Sequence, residues 1–132
     1  MEQTQYGMRI TFSGSPEEAE SAVTEALKKV GFGVLTRIDV AATLKAKLDI
    51  DKAPYVILGA CNPKIAHQAL EMEPELGLLL PCNVIVYHDK ADRTVISAID
   101  PGEMLSVVGR DDMETIAAEV KALLNEALAS LQ

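Results

Sequence analysis

Apolar and polar positions along the chain switch repeatedly between two periods. From Tyr6 to Ser13 they alternate. Tyr6, Met8, Ile10 and Phe12 fall on one side and Arg9 and Thr11 on the other, the period of two that a half-buried strand requires. Ser15-Pro16-Glu17-Glu18 then carries the signals of a helix start, with Ser15 as cap, Pro16 in the first helical position and Glu18 as the far half of a capping box. Ala19, Ala22, Val23, Ala26, Leu27 and Val30 follow at spacings of three and four, and Gly31 stands where a glycine closes a helix.

The same alternation of periods continues. A second strand is predicted over 33–38, and Asp39 caps a shorter helix that carries Leu44 and Leu48 and ends near 49–51. Residues 55–60 are apolar on both faces, which predicts a central strand. Asn62-Pro63 repeats the cap-plus-proline pattern and heads a helix bearing Ile65, Ala66, Ala69 and Leu70 that stops before Pro74. Residues 78–87 read as one long strand with an irregularity at Pro81, since proline cannot donate to a ladder. A polar turn over 89–92 leads into a hairpin partner over 94–99, ended by Pro101-Gly102. The last helix is predicted over about 111–131, with Met113, Ile116, Val120, Leu123, Leu124, Ala127, Leu128 and Leu131 in one stripe. The order is β-α-β-α-β-α-β-β-α in a single domain spanning 1–132. This predicts an α+β fold with a mixed or antiparallel sheet and helices packed on one face.

Charge and composition narrow the partners. The chain of 132 residues carries 12 Lys and Arg against 20 Asp and Glu, a net charge of −8. Nucleic acid and anionic membrane surfaces are recognised by clustered basic residues, so neither is an expected partner. A hydrophobic fraction of 48% is too high for a disordered chain. The first residues form neither a basic nor an apolar leader, and the longest apolar run, 76–86, is broken by Gly77, Pro81, Cys82 and Asn83. These features predict a cytoplasmic protein whose two cysteines are thiols rather than a disulfide.

Candidate chemistry centres on two cysteine–asparagine dipeptides, Cys61-Asn62-Pro63 and Pro81-Cys82-Asn83. Cys61 precedes a capped helix, whose free N–H groups can favour a thiolate or receive an anion. It can equally be a small apolar residue packed where a strand meets a helix. Each dipeptide is followed by a histidine, His67 and His88, but six residues of strand span about 20 Å, so Cys82 and His88 cannot share an ion. Cys61 and His67 are similarly too far apart, and both histidines read as solvated. A metal site would therefore pair Cys61 with Cys82 and need ligands from elsewhere. The acidic run Glu71-Met72-Glu73-Pro74-Glu75 is a solvated helix end, and Asp39, Asp51 and Asp100 read as caps and turn residues. No phosphate loop, nucleophile elbow or nucleophile–base–orienter set is present, so no enzymatic reaction or cofactor is assigned. The pattern leaves three roles. One is a binding module with a small anion, metal ion or other ligand at Cys61, Asn62, Pro63, Pro81, Cys82 and Asn83. A second is a thiol redox or metal-handling protein using Cys61 and Cys82. The third is a homodimer formed through the sheet face that the helices leave open.

The stretches Phe32-Gly-Val-Leu-Thr-Arg-Ile-Asp39, Tyr55-Val-Ile-Leu-Gly-Ala-Cys-Asn-Pro63 and Gly77-Leu-Leu-Leu-Pro-Cys-Asn-Val84 closely resemble a bacterial and archaeal family called domain of unknown function 302. The resemblance covers about 6–101 and is densest over 32–86. It implies a compact α+β fold similar to the saddle-shaped class of the TATA-box-binding protein, without DNA binding and without an assigned activity. Both of its densest blocks fall on the two Cys-Asn dipeptides.

Overall fold

Six strands form one antiparallel sheet in the computed structural model, which describes residues 1–132. They are β1 (Glu2–Gln3), β2 (Gly7–Phe12), β3 (Gly33–Asp39), β4 (Tyr55–Cys61), β5 (Cys82–His88) and β6 (Thr94–Ile99), in the spatial order β1-β2-β6-β5-β4-β3. The helices are α1 (Pro16–Lys29), α2 (Val40–Leu48), α3 (Pro63–Met72), α4 (Pro101–Leu105) and α5 (Asp111–Ala129). No helix is long and apolar enough to cross a membrane.

The predicted caps form as chemistry dictates. Ser15 Oγ accepts from Glu18 N at 3.1 Å while Ser15 N donates to Glu18 Oε1 at 3.2 Å, completing the capping box of α1. Asp39 Oδ1 accepts from Ala42 N at 2.9 Å and Asn62 Oδ1 from Ile65 N at 3.2 Å. Gly31 closes α1 with φ +90°, a conformation that costs glycine nothing.

Alternation along each strand separates two faces. Met8 and Ile10 of β2, Ile96 and Ala98 of β6, Val84 and Val86 of β5, and Leu58 and Ala60 of β4 are buried on one of them. Against them pack Val23 and Leu27 of α1, Ile65 and Ala69 of α3, and Met113, Leu124 and Leu128 of α5, in one continuous core. Each fully buried side chain of Leu or Ile size contributes about 1.5–3 kcal/mol, so this face holds most of the fold's stability. The opposite face, with Arg9, Thr11, Thr36, Ile57, Asn83 and Ile85, receives none of the core helices. Helix α2 is the exception to the layered arrangement, since none of its residues is buried.

Two expectations are corrected. The strand predicted over 78–87 begins only at Cys82, because residues Pro74–Leu79 wind into a 3₁₀ helix in which Leu76 is buried and Leu78 exposed. Pro81 has no N–H to pair, and the peptide joining it to Leu80 is cis. After β6, the chain does not run straight to α5 but forms α4, capped by Asp100, whose Oδ1 accepts from Gly102 N at 2.9 Å. Asp100 is 5% exposed and its Oδ2 also receives Gln3 Nε2 and Lys121 Nζ, both at 2.9 Å. One carboxylate thus ties β1, α4 and α5 together.

Candidate functional site

Antiparallel pairing of β4 with β5 brings the two Cys-Asn segments side by side. The register opposes Ala60 with Cys82 and Gly59 with Asn83, so the cysteines are one residue out of step. Successive residues of a strand face opposite ways. Cys82 therefore shares the helix-covered face with Ala60, while Cys61 falls in the alternate row with Gly59. Both cysteines are free.

Each residue of the two segments has a local task. Gly59 is buried, and a Cβ there would overlap the Thr36 hydroxyl and lie 2.7 Å from Pro81 Cγ, so only glycine lets β3 and the Pro81 ring close over β4. Asn62 caps α3, and its amide nitrogen sits 3.0 Å from where a Cβ at Gly31 would be, so the end of α1 lies close against the start of α3. Pro63 fills the first position of α3. Asn83 is exposed on the open face. His67 is exposed on α3, and His88 Nε2 meets Asp92 Oδ1 at 2.6 Å in the hairpin turn, so neither histidine approaches a cysteine. No three His, Cys, Asp or Glu side chains are grouped so as to hold a metal ion.

A crevice of about 40 Å³ opens where α3, α4 and α5 meet the Ala60–Cys82 end of the sheet. It exists because Ala60, Ala66, Ala69 and Cys82 are small. Leu76, Leu80 and Met104 close around it, and Cys61 and Asn62 stand at its border. Thus Cys61, Asn62 and Cys82 come together at one cavity, whereas Pro63, Pro81 and Asn83 lie outside it. Sequence patterning did not reveal Met104, Leu76 or Leu80 as members. Asp100-Pro101 repeats the cap-plus-proline signal of α1 and α3 and marks the short helix that delivers Met104.

Electrostatics favour packing over reactivity at Cys82. Burial pushes its thiol up to about 11, and the neighbouring Cys61 adds to the rise. Cys82 is therefore a neutral thiol at physiological pH. Alkylation of the native protein at pH 8 is expected to modify half-buried Cys61 alone, with Cys82 reacting only in denaturant; peptide mapping that finds equal labelling of both would contradict the burial assigned to Cys82.

A larger depression of about 520 Å³ lies near the chain termini, bordered by Arg9, Tyr87 and Arg93. Its two arginines are already engaged, Arg9 by Glu2 at 2.8 Å and Arg93 by Asp89 at 2.9 Å, so neither guanidinium is free for an anionic ligand.

Comparison with known proteins agrees with this architecture. A family model described as Domain of unknown function DUF302 matches residues 8–131. The crystal structure of an uncharacterized conserved DUF302 protein from Bacillus stearothermophilus superposes with a TM-score of 0.91 at 28% sequence identity, covering 98% of this chain and 100% of that one. No curated protein matches the sequence. With both Cys-Asn segments inside the matched region, and the whole fold shared with a solved member, the chain belongs to the DUF302 family.

Proposed function

We propose that the protein is a small-ligand binding module whose ligand inserts a short apolar group into the crevice between α3, α4 and the Ala60–Cys82 end of the sheet. The observation that carries this is the crevice itself, placed where the two Cys-Asn segments meet and walled almost wholly by apolar side chains. A volume of about 40 Å³ exceeds the roughly 10–15 Å³ that one water needs, but most of the wall offers a water no hydrogen-bonding partner. The Asn62 carbonyl oxygen at its border is already committed to Ile65 N. Apolar walls of this kind favour an apolar guest over a polar one. An anion would forfeit its hydration without meeting a cation. Met104, half-buried and unbranched, can shift rotamer to admit a chain longer than the closed crevice holds.

A redox role for the cysteines has less support, because burial holds Cys82 as a neutral thiol.

Thermal denaturation with straight-chain primary alcohols of two to six carbons provides the test. A member present at ten times its Kd should stabilise by about 1.4 kcal/mol, which for a chain of this length is roughly 5 °C. The effect should be greatest at one chain length and vanish in Ala66→Leu, whose larger side chain occupies the crevice. A series with no effect at any length, or one that stabilises Ala66→Leu equally, would reject the assignment.

A further inference from the structure

We infer that α2 and the adjoining β3 edge form the contact surface between two copies of this chain. Helix α2 has nine residues, none buried, and an isolated helix shorter than about 12–15 residues is marginal in water. In α2 and the segments that flank it four large apolar side chains lie in the open: Leu35 of β3 at 67% exposure, Ile38 of β3 at 50%, Leu48 of α2 at 63% and Ile50 just after it at 46%. They fall within sixteen consecutive residues, while the core helices all pack elsewhere.

Charge identifies the occupant as a second copy. The stretch Gly33–Val56 holds four of the twelve basic residues and three of the twenty acidic ones, a net charge of +1. The remainder holds eight and seventeen, a net charge of −9. Two copies of so acidic a chain meet less repulsion at a charge-balanced surface of this kind than at their acidic ones. It is also self-complementary, as a two-fold contact requires. Lys47 makes no ion pair within its own chain, whereas Asp49 and Asp51 share the single ammonium of Lys45 at 2.9 and 3.0 Å. Lys47 of one copy can therefore complete the carboxylates of the other.

The contact is made by side chains rather than by strand addition. The register of β3 against β4 shifts between Val34 and Thr36, leaving Leu35 as a bulge at the sheet edge. Bulges of this kind discourage edge-to-edge pairing.

Light scattering coupled to size exclusion at tens of micromolar tests the inference. The wild type should show about 28 kDa, twice the chain mass of 14.2 kDa. Ile38→Glu and Leu48→Glu should each give the monomer mass with an unchanged circular dichroism spectrum, because both side chains are already in solvent in the single chain. Leu78→Glu, at an 82% exposed position on the 3₁₀ helix, should remain dimeric. A wild type of 14.2 kDa at 100 µM overturns the inference and leaves this face to a different protein. So does a dimer that survives both Ile38→Glu and Leu48→Glu, whatever Leu78→Glu does.

Discussion

Gly59→Ala is expected to cost about 1–3 kcal/mol, whereas Gly33→Ala, in the neighbouring strand, should cost nothing or stabilise by up to about 1 kcal/mol. The contrast comes from what each new methyl would meet. At Gly59 it would overlap the Thr36 hydroxyl and approach Pro81 Cγ to 2.7 Å; at Gly33 nothing lies within 4 Å. Thr36 is exposed and can rotate aside, but the Pro81 ring cannot, so the strain at Gly59 persists. Because Gly59 pairs with Asn83 on one side and Thr36 on the other, the displacement reaches three strands at once. Gly59→Val should be worse than Gly59→Ala. Urea unfolding with an unchanged m-value provides the measurement. Equal midpoints for Gly59→Ala and Gly33→Ala would show that β4 and the Pro81 segment are not in the close contact described.

Asp100→Ala is expected to lose about 1.5–3 kcal/mol, the range for hydrogen bonds to a charged group. The substitution removes the acceptor for Gln3, Gly102 and Lys121 together and loosens β1, α4 and α5 from one another. Lys121 is partly exposed and can rehydrate, which keeps the loss below that of a fully buried pair. The same carboxylate sets a pH dependence. Burial alone would raise its pKa, but the hydrogen bonds from Lys121, the Gly102 N–H and Gln3 outweigh burial and hold it below the ordinary value. A depressed folded-state pKa means that the folded protein binds the proton less readily than the unfolded chain. Its stabilisation is therefore complete above the unfolded value of about 3.9 and is lost as pH falls through the folded value. The stability gap between wild type and Asp100→Asn should stay constant from pH 7 to 5 and shrink below pH 4. A gap that instead widened on acidification would contradict the sign of the shift.

Those two positions also show what the sequence makes legible. The capping box at Ser15, the caps at Asp39 and Asn62, and the glycine at the end of α1 are local chemistry, readable within four residues, and all of them form. Antiparallel order among six strands is not local, although the hairpin at Asp89–Asp92 and the two-faced apolar pattern of β4 already indicate part of it. The run from Leu78 to Leu80 misleads because three leucines in succession have no period of their own. Burial of Leu76 beside an exposed Leu78 and half-buried Leu79 and Leu80 is helical spacing imposed by the core. Strand β1 is only two residues long and exists through its pairing with Arg9 and Met8.

The candidate site was legible as a location but not as an arrangement. Two matching dipeptides point to one region, and β4 and β5 do bring them together. Their offset of one residue assigns the cysteines to alternate rows. Such an offset is set by the whole ladder and cannot be counted from spacing along the chain. The crevice depends in turn on Met104, Leu76 and Leu80, which come from α4 and from the segment before Pro81, outside the two Cys-Asn dipeptides.

The most direct measurement is an amide chemical-shift titration of the isotopically labelled protein with the straight-chain alcohol that stabilises it most. Binding in the crevice predicts saturable shifts centred on Ala60, Ala66, Ala69, Cys82 and Met104, with the depression between Arg9 and Arg93 unaffected and the response abolished in Ala66→Leu. Shifts confined to the Arg9–Arg93 depression, or none that saturate, would contradict a ligand site at the meeting of the two Cys-Asn segments.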